Sequence, residues 1–405
     1  MKQSVYLDNG ATTPMDPSVL EAMLPYYREH FGNPASAIHA YGLAASQAVE
    51  TARRQVAQLI GARPGEIIWT SGATESDNLA ITGIAQKYRD KGNHIITCRT
   101  EHKAVLDTCE YLGHKGFEIT YLPVDREGMI DLEQLRQVIS EQTILISLMA
   151  VNNETGIIHP VAQIGAIARE RGVFFHCDAT QAAGKVPIDV KAMKIDLLSL
   201  SGHKIYGPKG VGALYVSDRQ PRVRPAAIIH GGGHEQGMRS GTLNVPGIVG
   251  LGRACEICRE VMPQEAERLK KLADRLYHGI IDRVDCVSLN GHRDNGVGHI
   301  LNLAFAYVEG ETFTLMMDMR GVAVSTGSAC TSTSLGPSHV LRAMGAGDEV
   351  ANVSIRFSLG RFNTEEEIDY AVESVIDVVR KAREISPLYE AAIKQKGKKP
   401  DALQR

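Results

Sequence analysis

The chain has 405 residues, 43% hydrophobic and 22% charged, with a formal net charge of −3. That balance excludes a globally disordered chain, and Lys+Arg 44 against Asp+Glu 47 leaves no basic excess for direct nucleic-acid binding. Glycine, at 39 residues, exceeds its usual share of about 7%, which suggests loops that bring backbone close to a ligand.

Asp16-Pro17 opens the first helix, with an N-cap followed by a proline in the first turn. Val49, Ala52, Val56, Leu59 and Ile60 share one helical face, and Gly61 ends that helix. Strand-length apolar runs, mostly β-branched, follow at 66–70, 94–98, 117–122, 143–149, 173–178, 196–200 and 212–216. A helix is expected over 160–171, closed by Gly172. This alternation predicts an α/β fold whose large, mainly parallel sheet is covered on both faces. Beyond Gly250 the texture changes. A charged helix over 264–283 leads to a smaller α/β region, with strands expected at 299–306, 322–325 and 354–359 and a helix over 364–385. The expected division is a large domain over 16–260, a small domain of 1–15 and 261–390, and a solvated tail over 391–405.

The seven cysteines, at 98, 109, 177, 255, 258, 286 and 330, are odd in number and scattered, which argues against a disulfide framework. No segment approaches the roughly 18 continuous apolar residues of a membrane span, and no signal-peptide pattern is visible. The chain reads as cytoplasmic and reduced, without a membrane partner.

Ligands of open parallel sheets bind beyond the carboxyl ends of the strands, and three polar clusters fall there. Ser71-Gly72-Ala73-Thr74-Glu75-Ser76 follows one strand and opens a helix. It can offer free backbone N–H groups to a phosphate, though taken alone it reads better as a capping box. Asp178 ends the strand at 173–178, with Gln181 three residues on; it is either a helix N-cap or the partner of a protonated ring nitrogen. Lys204, in Ser199-Leu200-Ser201-Gly202-His203-Lys204, is either a phosphate contact or a Schiff-base amine. Together the three supply what pyridoxal 5′-phosphate needs: an anion site, a pyridinium partner and an imine lysine.

These segments resemble those of the cysteine desulfurases, class V aminotransferase-fold enzymes that feed sulfur to iron–sulfur cluster assembly. So do Thr100-Glu101-His102, Val151-Asn152-Asn153-Glu154-Thr155-Gly156, His176-Cys177-Asp178-Ala179-Thr180-Gln181 and Arg239-Ser240-Gly241-Thr242. Gly327-Ser328-Ala329-Cys330-Thr331-Ser332 and Ser354-Ile355-Arg356-Phe357-Ser358-Leu359 extend the resemblance over nearly the whole chain. It implies a fold-type-I pyridoxal-phosphate enzyme with a large seven-stranded sheet, working as a homodimer that converts L-cysteine to L-alanine.

The resemblance assigns roles residue by residue. Lys204 binds the cofactor and carries protons, Asp178 keeps the pyridine nitrogen protonated, and Gln181 bonds the phenolic oxygen. His102 stacks on the ring. Ala73, Thr74, Ser201 and His203 hold the phosphate with Thr242 of the neighbouring subunit, and Asn153 lies beside the cofactor. Arg356 grips the substrate carboxylate, for which a bidentate guanidinium suits well. Cys330 takes the sulfur as a persulfide, and through it transiently shares a nascent [2Fe-2S] cluster. The implied partners are a scaffold protein and a tRNA-thiolation protein.

The residues around Cys330 support its role independently. Positions 325–336 are small and mostly hydroxyl-bearing, with no apolar period, so they predict a mobile loop rather than a buried structural thiol. Such a thiol separates desulfuration from other reactions of the same fold. Nothing here forms the Gly-x-Gly-x-x-Gly turn of a nicotinamide enzyme. Cys255 and Cys258 read as two cysteines on a helix, and His39 and His159 as satisfied structural residues. Family members seldom carry a glycine at the position of Gly10, and usually have glutamate at that of Gly336. The tail lacks the aromatic- and histidine-bearing ending with which housekeeping members dock their scaffold.

Overall fold

The computed structural model describes residues 4–36, 38–220, 222–326, 337–387 and 389–390. Strand β1 (Val5–Tyr6) precedes the first helix, Pro17–Met23, which Asp16 caps as expected. Next come β2 (Ile67–Thr70), β3 (His94–Cys98), β4 (Glu118–Leu122), β5 (Thr143–Ser147), β6 (Phe174–Asp178), β7 (Leu197–Ser201) and β8 (Gly212–Val216). They form a seven-stranded sheet in the order β2-β8-β7-β6-β5-β3-β4. β8 is antiparallel to both neighbours and the other pairings are parallel. The mainly parallel sheet expected from the sequence is therefore present.

Period-two alternation divides these strands between two hydrophobic cores. Ile68, Ile95, Leu145, Leu197 and Leu214 pack on one face with Leu79, Ile84 and Val105 from helices Ala73–Lys87 and Lys103–Gly113. Trp69, Ile96, Ile146, Leu198 and Tyr215 face the opposite core, with Val56 and Ile60 from helix Ala40–Ile60 and Ile164 from helix Val161–Arg171. Gly61 and Gly172 end those two helices in the left-handed conformation.

The helix expected over 264–283 is longer, running from Val245 to Ile281 through residue 260. Its first half carries glycines, which weaken the helical pattern, and Pro263 removes a backbone donor at its middle. Packing explains one of those glycines: a Cβ on Gly252 would lie 2.6 Å from the Cα of Ala52, on the helix across from it. Cys255 and Cys258 are buried on this helix.

The second region holds β9 (Val287–Leu289), β10 (Ile300–Phe305), β11 (Val322–Ala323), β12 (Ser325–Thr326) and β13 (Ser354–Ser358). An antiparallel sheet in the order β12-β13-β10-β9 packs on helix Glu365–Glu384 through Leu303, Phe305, Ile355, Phe357, Val375 and Val379. The single strand expected at 322–325 is two: β11 pairs in parallel with β1, and β12 pairs with β13. Only the distant N-terminal segment creates that division, so local pattern could not reveal it.

After β1 the chain passes between the two sheets. Asp8 bridges to Ser358. Five residues on, the Thr13 N–H donates to the His203 carbonyl at 2.9 Å, and its hydroxyl accepts from the Tyr206 N–H at 2.8 Å. The described helices include none long and apolar enough to cross a membrane. Residues 327–336, which carry Cys330 and Gly336, and the expected tail at 391–405 lie outside the described residues.

Candidate active site

A cavity of about 640 Å³ opens beyond the carboxyl ends of β2, β3, β5, β6 and β7. Ala73, Thr74, His102, Asn153, Asp178, Gln181, Ser201, His203 and Lys204, all expected from the sequence, line it. They come from five separate stretches of chain because each strand of a parallel sheet ends at the same edge.

The turn after β2 does not form the capping box. Gly72 is the N-cap of helix Ala73–Lys87 and provides no side-chain cap, while Glu75 accepts from the Ser71 N–H at 2.7 Å. The first-turn N–H groups therefore have no side-chain acceptor, and with the positive end of the helix dipole they suit an anion. Gly72 has φ +154, and behind it a Cβ on Gly212, at the start of β8, would lie 2.7 Å from the Gly72 Cα. Two glycines thus bring the backbone up to the cavity floor. Arg239 ties its own motif to this turn by donating to Glu75 at 2.8 Å.

Asp178 ends β6, is 6% exposed, and accepts from the Thr180 N–H at 2.9 Å. It caps a turn rather than the expected helix, and its carboxylate borders the cavity. Beside it, burial and the neighbouring Asp178 charge push the carboxyls of Asp77 and Glu101 well above the usual range. A cation in the cavity would relieve that excess of acid.

Lys204 follows β7 in a single 3₁₀ turn, and its ammonium donates to the carbonyls of Gly10 at 2.6 Å and Ala11 at 2.8 Å. The Gly10 carbonyl also accepts from Gln181 Nε2 at 2.9 Å. His102 caps helix Lys103–Gly113, its Nδ1 accepting from the Ala104 N–H at 3.1 Å. Burial lowers its pKa, and the Lys204 charge adds to that despite Asp178. The ring is thereby favoured neutral, with its proton on Nε2. Burial and nearby lysines push the pKa of His203 to about 4. Asn153 Oδ1 is buried without a hydrogen-bond partner.

Arg356 is placed differently. It lies fully buried on β13, donating to the Asn153 carbonyl and to Asp8 Oδ1, each at 2.9 Å. It borders the cavity through Asn153 rather than lining it, and its guanidinium already holds a carboxylate. Thr242 is exposed and does not line the cavity within one chain. Cys330 lies outside the described residues; the strand before it, β12, pairs Ser325 with Arg356. Among the described residues, no group of three or more His, Cys, Asp or Glu side chains is placed to hold a metal.

Sequence reasoning assigned no role to Ala11, Thr12, Asp77, Met149 and Val151, which also line the cavity. Asp77 could have been found: it lies one turn past Thr74 on the same helix. The N-terminal pair gives no local signal. His159 corrects an expectation. It is buried, but neither ring nitrogen has a hydrogen-bond partner, and burial pushes its pKa to about 4. His39 is satisfied, accepting from the Gly42 N–H at 3.1 Å.

The donor set fits pyridoxal 5′-phosphate. An uncapped helix N-terminus suits its phosphate, a buried carboxylate its pyridinium, and the buried Asn153 oxygen a further polar edge. The Lys204 amine reaches the same space.

Comparison with known proteins agrees. The Aminotransferase class-V family model matches residues 5–371. The chain is 57% identical over 390 residues to "Cysteine desulfurase IscS" of Anaeromyxobacter dehalogenans, covering 96% of both chains. It is 57% identical over 392 residues to that of Escherichia coli O139:H28, again covering 96% of both. Among solved structures, a "NIFS-LIKE PROTEIN" matches with TM-score 0.87 and 39% identity, over 94% of this chain and 100% of that one. "SspA in complex with cysteine" matches with TM-score 0.78 and 40% identity, over 89% and 100%. The chain belongs to the class-V aminotransferase family and, within it, to the pyridoxal-phosphate-dependent cysteine desulfurases.

Proposed function

We propose that this cysteine desulfurase converts L-cysteine to L-alanine by transferring sulfur to Cys330, and that the resulting persulfide supplies iron–sulfur cluster assembly. The observation that carries this is the convergence of Lys204, Asp178 and the uncapped turn at Ala73 and Thr74 on one cavity. When bound, pyridoxal 5′-phosphate supplies an aldehyde that captures amines and a ring that accepts the electron pair left by a departing α-proton.

The chain's own residues do the rest. Ala73, Thr74, Ser201 and His203 hold the phosphate, joined by Thr242 from a second subunit; that Thr242 is exposed and does not line the cavity of its own chain supports this. Asp178 keeps a proton on the ring nitrogen, Gln181 donates to the phenolic oxygen, and neutral His102 packs on the ring. Lys204, released to its amine form, moves the proton at the substrate Cα. Arg356 takes the substrate carboxylate as its pairing with Asp8 is exchanged. The Cys330 thiolate attacks the substrate sulfur; an S–S bond forms as the Cβ–S bond breaks. Protonation at Cβ then gives alanine, so cysteine plus thiol becomes alanine plus persulfide.

The enzyme acts as a cytoplasmic homodimer, and a scaffold protein for iron–sulfur clusters receives the sulfur. A nascent [2Fe-2S] cluster passes by Cys330 as cargo, and a tRNA-thiolation protein is a second acceptor. Lys204→Ala and Cys330→Ala test the core of this reading, with alanine release and protein-bound sulfur measured. The first should lose both the visible cofactor band and turnover. The second should keep the band and form no persulfide. Desulfuration of cysteine by Cys330→Ala at the wild-type rate would sink the assignment of the thiol.

A further inference from the structure

We propose that Lys185 is a positioning residue whose ammonium sets the orientation of the Gln181 amide, and thereby which end of that amide faces the cofactor's phenolic oxygen. This rests on the cofactor placement above.

Lys185 lies four residues after Gln181 and donates from Nζ to Gln181 Oε1 at 3.1 Å. At its other end the Gln181 amide donates from Nε2 to the Gly10 carbonyl, which also accepts from Lys204. An ammonium can only donate and a carbonyl can only accept. Both neighbours therefore demand the same orientation, with Oε1 toward Lys185 and Nε2 toward Gly10. One Nε2 hydrogen is used on Gly10, and the second remains for the cavity that Gln181 lines. Without Lys185 only the Gly10 contact would favour this orientation, and the amide could more readily turn and present its oxygen, which would repel a phenolate.

Lys185 does not line that cavity. It faces another, of about 280 Å³, together with Cys258, Glu265 and His299. Any effect on the cofactor must therefore pass through Gln181 or through charge alone. Its side chain is partly exposed, yet its ammonium is buried and bonded inward rather than extended to water. Lysine stems normally let the head group reach solvent, and an ammonium buried without a close carboxylate is costly. Burial and the charge of Lys204 push its pKa to about 7, with Arg356 acting in the same direction and Cys258 and Glu265 opposing. Burial lowers the pKa of His299, and the Lys185 charge adds to that; for His203, burial and Lys204 and Lys209 lead, with Lys185 adding least. A costly group retained in contact with a site residue points to a role at the site.

The test uses the full-length protein loaded with pyridoxal 5′-phosphate and follows the visible band of the bound cofactor against pH. Lys185→Met should raise the midpoint of that titration by about one unit while the cofactor stays bound, and Lys185→Arg should restore it. If Lys185→Met does not fold, Lys185→Gln gives the same reading, since it leaves the amide free to turn. In a Gln181→Ala background, Lys185→Met should add no further shift, because the amide it orients is gone. A persistent shift there would mean that Lys185 acts as a bare charge and would overturn the proposal. So would an unchanged midpoint in the single variant. If the wild-type protein shows no visible band, the cofactor placement fails, and this inference with it.

Discussion

The strand-end half of the site and the Arg356 half are held in different ways. Asp178, Ser201 and Lys204 end or follow neighbouring strands, so the sheet places them. Each lies within a few residues of backbone pinned on both sides: Asp178 pairs with Ser199, and Ser201 with Gly212. Arg356 instead depends on chain distant in sequence, since Asp8 and Asn153 hold its guanidinium. The segment that supplies Asp8 also supplies Gly10 and Ala11, whose carbonyls hold Lys204. One N-terminal strap therefore satisfies a cation on each side. The lesson is that the strand-end half is prepared by the fold, while the Arg356 half is prepared by internal ion pairing, which a substrate carboxylate would replace on the proposed reading.

The largest test of this contrast is Lys204→Ala, expected to reduce alanine formation by on the order of 10⁴-fold. Asp178→Asn, which keeps shape but removes charge, should cost about a hundredfold. Turnover measured with saturating cofactor checks both; near-wild-type rates would mean that the strand-end half does not carry the chemistry. Gly212→Val tests the scaffold itself. Its Cβ would lie 2.6 Å from the Leu200 carbonyl, so it should lower unfolding free energy by about 1–3 kcal/mol and weaken cofactor binding, as denaturant titration and cofactor dissociation would report.

Asp8→Asn should have a smaller effect, and mainly on substrate. With the internal carboxylate gone, the KM for cysteine should fall by about threefold to tenfold, roughly 1 kcal/mol, with kcat much less changed. A raised KM would show that Asp8 orients Arg356 rather than competing with substrate. The effect that is smallest at neutral pH is on stability. His159 is buried with its pKa pushed to about 4, while in the unfolded chain it titrates near about 6.5. Between those values the unfolded state binds the proton and the folded state does not. Its contribution is therefore present above about 6.5 and lost as pH falls toward 4, by at most about 1.4 kcal/mol per unit. His159→Gln should flatten that part of the stability curve; an identical slope would mean that His159 does not set it.

Much of the site was legible from sequence because its members are short-range motifs. Ser71 to Ser76, His176 to Gln181 and Ser201 to Lys204 each combine a strand end with polar residues, and that pattern survives without knowledge of the fold. The capping box failed because Glu75 turned to the Ser71 N–H and Arg239. Arg239 is far away in sequence, so the residue pattern could not weigh it. The satisfied role expected for His159 failed for a similar reason: whether a ring nitrogen finds a partner depends on what the fold packs against it.

By itself, then, the sequence determined the α/β alternation, the two hydrophobic faces of each strand, and the polar clusters at the strand ends that line the cavity. These follow from local period and from chemistry carried within a few consecutive positions. The tertiary structure alone decided that 8–13 would lie between the sheets and that Asp8 would hold Arg356. Helix Val245–Ile281 likewise owes the glycine at 252 to contact with Ala52. Such features depend on contacts between remote segments, and these exist only once the sheet has brought the strand ends to one edge and the N-terminal segment has crossed it.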